Sequence, residues 1–167
     1  MKTLVIDEKY RGLRKDEYGQ FLFQGNIECD GAIEINLDSW LIVSGSIWAG
    51  RGIKASGGIK AGWGIEAGGG IEAGEDIEAG WGIKAGEDIG AGWDIKAGWG
   101  IEAGEGIGAG GDIEAGLTIK CKQKLSSKCR IFAGVFTQKK TLPEEQVIEC
   151  AEIDGVIGFG ILKKIEA

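Results

Sequence analysis

An isoleucine falls at every sixth position from Ile47 to Ile119, thirteen times without a miss. No α-helix has that period. The second residue of each hexad is usually Lys or Glu, the third is Ala throughout the run, and the fourth is Gly except at Ser56. Residues two apart in a strand point to the same side, so Ile and Ala face inward and the charged residue between them faces out. Each hexad therefore reads as a short strand followed by a corner. Gly at the fourth position, and Gly or Asp at the sixth, are expected to supply corner sites with φ > 0.

A six-residue unit repeated in tandem marks a solenoid, but it does not say how many strands close one turn. The outward residues decide that. A spacing of 18 places Trp63, Trp81, Trp99 and Leu117 in one column, and it stacks Lys60, Glu78, Lys96 and Glu114 with strictly alternating charge. Glu66, Lys84, Glu102 and Lys120 alternate in the same way, and a spacing of 12 destroys all three columns. Opposite charges on adjacent strands attract and like charges repel, so three hexads form one turn. The fold class is all-β: a three-sided parallel β-helix of about 18 residues per coil, with irregular β caps at both ends. With strands ~4.8 Å apart, the repeat alone makes roughly four turns.

The chain divides on this reading into an N-terminal cap with irregular first coils (1–46), the solenoid (47–120) and a C-terminal β cap or association segment (121–167). Bare solenoid ends would expose strand edges, which is the reason to expect caps. Ile27 and Ile33 are hexad-spaced but out of phase with Ile47. Three strands are expected after the repeat, at Lys128–Phe136, Gln146–Glu152 and Val156–Lys163, with a loop at Thr137–Glu145 around Pro143.

Several classes of function are excluded. Gly is the commonest residue at 32 but lacks a three-residue period, and there is one Pro, so neither collagen nor a polyproline linker fits. No apolar run approaches the ~18 residues that cross a membrane, and the first residues lack the pattern of a signal peptide. The expectation is a soluble, cytoplasmic protein. There is no His, and Cys29, Cys121, Cys129 and Cys150 are far apart with no CxxC pair. They read as reduced thiols, with no metal and no cofactor expected. With no His to complete a Ser/His/Asp set and no P-loop, the chain is not expected to be an enzyme.

The register gives the three corners different characters. One carries Trp63, Trp81, Trp99 and Leu117 and no acid. The next carries Glu87, Asp88 and Glu105, and the third carries Glu75, Asp76, Asp94 and Asp112, interrupted by Trp93. A Trp column shields strand edges, and an exposed aromatic strip also marks a docking surface, for a partner or for a second copy. Coil spacing and the flanking acids argue against direct binding of nucleic-acid bases. Asp at a corner bonds nearby backbone N–H groups, and stacked carboxylates are also a cation site in principle. Ile47 to Ile119 holds five basic and twelve acidic residues, so the whole net charge of −7 lies in the repeat. Lys120, Lys122, Lys124, Lys128 and Arg130 form a basic stretch just beyond it, suited to nucleic acid, to the acidic ridge of another molecule in head-to-tail association, or simply to solvent.

Residues 47–120 resemble the hexapeptide-repeat class of parallel β-helices, and GSIWAGRGIKA (45–55) and GGDIEAGLTIK (110–120) are similar to the strand–turn units of bactofilin-type polymers. The acyltransferase hexad carries its small residue two before the aliphatic one, whereas here Ala follows Ile by two, and the His on which the enzymes of that class depend is absent. The resemblance therefore implies architecture. The functional expectation is a non-enzymatic rigid module that docks a protein partner through the Trp ridge and self-associates, with no membrane contact. Two alternatives stand beside it. One is an acidic nucleic-acid mimic that inhibits a DNA- or RNA-binding enzyme, as phage counter-defence and anti-CRISPR proteins do; the other is a bactofilin-like filament subunit.

Overall fold

The computed structural model describes residues 2–166. The chain winds as a parallel β-solenoid of about eight turns, three short strands to a turn. Within the repeat every hexad makes a three-residue strand from Ile to Ala, or from Ile119 to Cys121, and each Ile lies over the Ile 18 positions away. The Ile side chains are almost wholly buried along the axis, with Ala beside them, and the residue between is turned outward. Ile packed on Ile in every turn gives one unbroken core, the dominant favourable term for a rod this thin.

The three faces are most simply followed by their strands. The first face contains Leu4–Ile6, Ile33–Ile35, Ile53–Ala55, Ile71–Ala73, Ile89–Ala91 and Ile107–Ala109; the second contains Phe21–Phe23, Leu41–Val43, Ile59–Ala61, Ile77–Ala79, Ile95–Ala97 and Ile113–Ala115. The third runs from Ile27–Cys29 and Ile47–Ala49 through Ile119–Cys121 to Val147–Cys150 and Ile161–Lys164. Lys124–Ala133 is one long strand that rounds a corner, pairing with the first face at Leu125–Ser127 and with the second at Ile131–Ala133. It joins those faces into a single 15-stranded sheet.

The flanks follow the same ladders. Ile27 pairs with Ile47 and Ile33 with Ile53, a step of 20, while Leu41 pairs with Ile59, a step of 18. Two extra residues at the corner Asn36–Trp40 thus account for the phase shift seen in the sequence. The single strand expected at Val156–Lys163 is two strands, Glu152–Phe159 and Ile161–Lys164, because Gly160 at φ +129° turns the corner between them. Similarly, the long strand begins at Lys124 rather than Lys128.

The repeat glycines overturn one expectation. Among the described residues positive φ occurs only at Gly12, Gly19, Gly25, Gly134, Gly155 and Gly160, all outside the repeat. Glycine fills the fourth position, Ser56 excepted, for a different reason: a Cβ on Gly80, Gly98 or Gly116 would sit on the carbonyl oxygen of Gly62, Gly80 or Gly98 in the turn beneath. At the sixth position the space is wider. A Cβ on Gly82 would stand 3.4 Å from the Gly100 oxygen, an ordinary contact, and this is where Asp and Thr118 also occur.

Candidate functional site

The ridge lies at the corner between the second and third faces. Trp63, Trp81 and Trp99 stack with ring centroids 5.5 and 5.4 Å apart and planes within 9° and 11° of parallel. Their backbones form a ladder of their own, in which Trp81 N–H donates to Trp63 O at 3.0 Å, Trp99 N–H to Trp81 O at 2.8 Å and Leu117 N–H to Trp99 O at 2.7 Å. Register forces this stack, since a rigid corner recurs every turn with the same residue at the same place. Each indole is nevertheless about half exposed, at 51, 50 and 49 %. Leu117 continues the column and is partly buried. Because the rings cover one another's faces, the ridge shows solvent mainly indole edges. That geometry favours an apolar protein surface over nucleic-acid bases, which need an open ring face.

The sequence reading missed what borders the ridge. Ile119 pairs with Ile148, a step of 29 rather than 18, so the insertion after Ala133 leaves the rod at this same corner. Val135, Phe136, Thr137 and Gln138 form a shallow hollow with Trp81, Trp99 and Glu114. Locating the insertion required the register of the last turns, which the irregular sequence after Cys121 hides. The loop is tied back by Thr141 Oγ1–H donating to Gly134 O at 2.7 Å and by a Lys139–Glu145 ion pair of 2.6 Å. That pair, with the Leu142 N–H, holds the Glu145 carboxyl below its ordinary range.

The acidic corners have a structural task. The Oδ1 of Asp76 accepts the Asp94 N–H at 2.7 Å, Asp94 accepts from Asp112 at 2.8 Å, and Asp112 accepts from Arg130 N–H at 2.8 Å. Asp88 accepts the Gly106 N–H at 2.7 Å. Each carboxylate thus satisfies a corner donor one turn on, the turn chemistry anticipated for Asp, here acting between coils rather than along the chain. The Lys96 ammonium, 2.9 Å away, is the main influence holding the Asp94 carboxyl below its usual range, and Asp94 raises Lys96 in return. Glu87, Asp88 and Glu105 are exposed at one corner, and Glu75 lies half-buried beside Asp76 at the other. Among the described residues no group of three or more His, Cys, Asp or Glu side chains is arranged to hold a metal ion.

The basic residues share one turn but not one side. Lys120 is on the third face, Lys122 and Lys124 are at the corner that follows, and Lys128 and Arg130 are at the next. Lys124 is engaged with Glu152 at 3.4 Å and Asp154 at 3.0 Å. Cys121 and Cys150 are buried and adjacent in the third-face core; burial pushes the Cys121 thiol up to about 12 and raises Cys150. Trp93 is 66 % exposed and stands alone at the acidic corner. No helix among the described residues is long and apolar enough to cross a membrane. Comparison with protein-family models, with curated proteins and with solved structures gives no match.

Proposed function

We propose that this chain is a non-enzymatic docking rod that presents Trp63, Trp81, Trp99 and Leu117 to a partner protein. The observation that carries this reading is the half exposure of three indoles held in parallel register. A partner meeting such a surface covers aromatic area without first ordering it, because the solenoid has already fixed the side chains. Trp is also the residue most enriched among those that dominate interface energy. The hollow beside Phe136 gives the strip a side wall, so the surface has depth as well as length. The test compares three immobilised forms: the wild type, Trp63→Ser/Trp81→Ser/Trp99→Ser, and Glu87→Gln/Asp88→Asn/Glu105→Gln. A partner retained by the first and third and lost by the second supports the ridge.

A second reading rests on a separate observation. The exposed carboxylates of Glu87, Asp88 and Glu105 sit on a rod whose repeat carries the entire negative excess, which suits a nucleic-acid mimic facing a basic cleft. Its signature is the converse result, a partner lost on neutralising that corner and released by salt.

A further inference from the structure

The two ends of the rod are finished differently. At the N-terminal end Tyr10 and Leu13 pack on the core, Tyr10 lies 5.9 Å from the Phe23 ring, and Arg14–Lys15 pairs antiparallel with Phe21–Leu22. The Lys15 ammonium sits 4.5 Å over the Phe21 ring. The second-face edge at that end is therefore occupied. At the C-terminal end the last turn consists of Glu152–Phe159 and Ile161–Lys164, and among the described residues no strand pairs with its outer edge. Val156, Phe159, Ile161 and Leu162 are exposed there, Val156 at 64 %. An uncovered edge of parallel strands with apolar residues along it is a template for further pairing.

Charge says what completes it. The outward column of the third face alternates through Glu66, Lys84, Glu102, Lys120 and Glu149 to Lys163, so the next position calls for an acid. The column beside the first face ends with Glu152 over Lys124 and calls for a base. Rotation of a second copy by 180° about an axis through the second face reverses every strand and brings its third face against this first face. Both vacancies are then filled by the same contact, made twice. Keeping inward residues opposite inward residues sets Leu162 against Ile153, which places Lys163 against Glu152 and leaves Lys164 beside the corner at Ala151.

We propose that the C-terminal turn is an isologous interface, pairing antiparallel with the same turn of a second copy to give a closed, tail-to-tail dimer. The second-face segment Val156–Phe159 meets itself across the two-fold axis. Closure follows from symmetry, since the contact uses the same edge of both copies and leaves neither free for a third. The proposal is independent of the Trp ridge, which stays outward in the dimer.

Sedimentation equilibrium of the wild type over a concentration series, alongside Lys163→Glu and Glu152→Lys/Asp154→Lys, tests it. The expected result is a mass of two 17.6-kDa chains for the wild type and at least about tenfold weaker association for either variant alone, the factor that ~1.4 kcal/mol represents. An equimolar mixture of the two variants restores the dimer, because both contacts become attractive again. A monomeric wild type, an assembly that grows without limit, or a mixture no tighter than its components while both variants melt normally overturns it. Should a variant melt early, hydrogen exchange of the wild type supplies the readout: N–H groups of Glu152–Lys164 gain protection as concentration rises, and unchanged protection overturns the proposal. Trp63→Ser/Trp81→Ser/Trp99→Ser is expected to dimerise as the wild type does; loss of the dimer in that variant, with the end variants unaffected, assigns association to the ridge and overturns the end interface.

Discussion

The fourth and sixth residues of the hexad look interchangeable on paper and are not. Gly98 lies against the Gly80 carbonyl of the turn beneath, and Gly82 does not meet its neighbour so closely. We predict that Gly98→Ala costs about 1–3 kcal/mol, as overpacking does, while Gly82→Ala stays within about 0.5 kcal/mol. Urea denaturation of the pair measures both, and equal losses would refute the close-approach account. A second prediction concerns the thiols. Cys121 has a folded value of about 12 against 9.0 for the free group, so the neutral thiol contributes stability that is present below about pH 9 and is lost as the pH rises toward 12. Cys150 is shifted in the same direction. Cys121→Ala, which inserts the residue already found at Ala103 beneath, should flatten part of that alkaline fall. Asp94 works in the opposite sense: its carboxyl is lowered, so its contribution is present above the free value of 3.8 and disappears as acid protonates it below that value. These residue-scale reasons were only partly legible. The glycine pattern was plain in the sequence, but its cause was not, because close approach between turns depends on coil geometry that a linear period does not contain.

At the scale of the strand, each hexad contributes one Ile to a core one residue wide, so no neighbouring layer can absorb an error. Ile83→Lys sets an ammonium between Ile65 and Ile101 with no acid inside to pair it. We predict loss of the cooperative transition, because a buried unpaired charge costs several kcal/mol against a total stability of about 5–15 kcal/mol. A folded, normally melting variant by far-ultraviolet circular dichroism would contradict the axial placement. The outward ladder is weaker. Lys60 and Glu78 lie 2.6 Å apart and Lys54 and Glu72 3.3 Å apart, all with substantial exposure, so each pair is worth about 0–1 kcal/mol and less in salt. What those pairs provide is register, and register made the three-sided turn readable from residues 47–120. It was unreadable where the outward residues lose their alternation, at Asn36–Trp40 and after Ala133, and there the strand boundaries and the ridge-side loop required the structure.

At the scale of the molecule, identical core hexads but dissimilar corners mean that the rod can be cut without its core noticing. Deletion of Ile71–Asp88 removes one full turn and brings Trp99 over Trp63, with Lys96 over Lys60 and Glu102 over Glu66 as the electrostatic cost. Deletion of Ile71–Asp76 removes a third of a turn, and Trp99→Ser made with it leaves two ridge indoles, as in the longer deletion. Ile still stacks on Ile, but everything above rotates by one face, carrying Trp81 away from Trp63. We predict that both chains fold, since each turn contacts only its neighbours and core layers are equivalent. Near-ultraviolet circular dichroism then separates them: the coupled indole signal persists for the Trp63–Trp99 pair in the 18-residue deletion and is lost in the six-residue one, where Trp63 and Trp81 stand at different corners. If both deletions gave the same spectrum, the corners would not be held in register by the turn, and a ridge aligned along the rod could not serve as a docking surface. If only the longer deletion kept partner binding, the alignment of the indoles, rather than their number, would be what the partner reads.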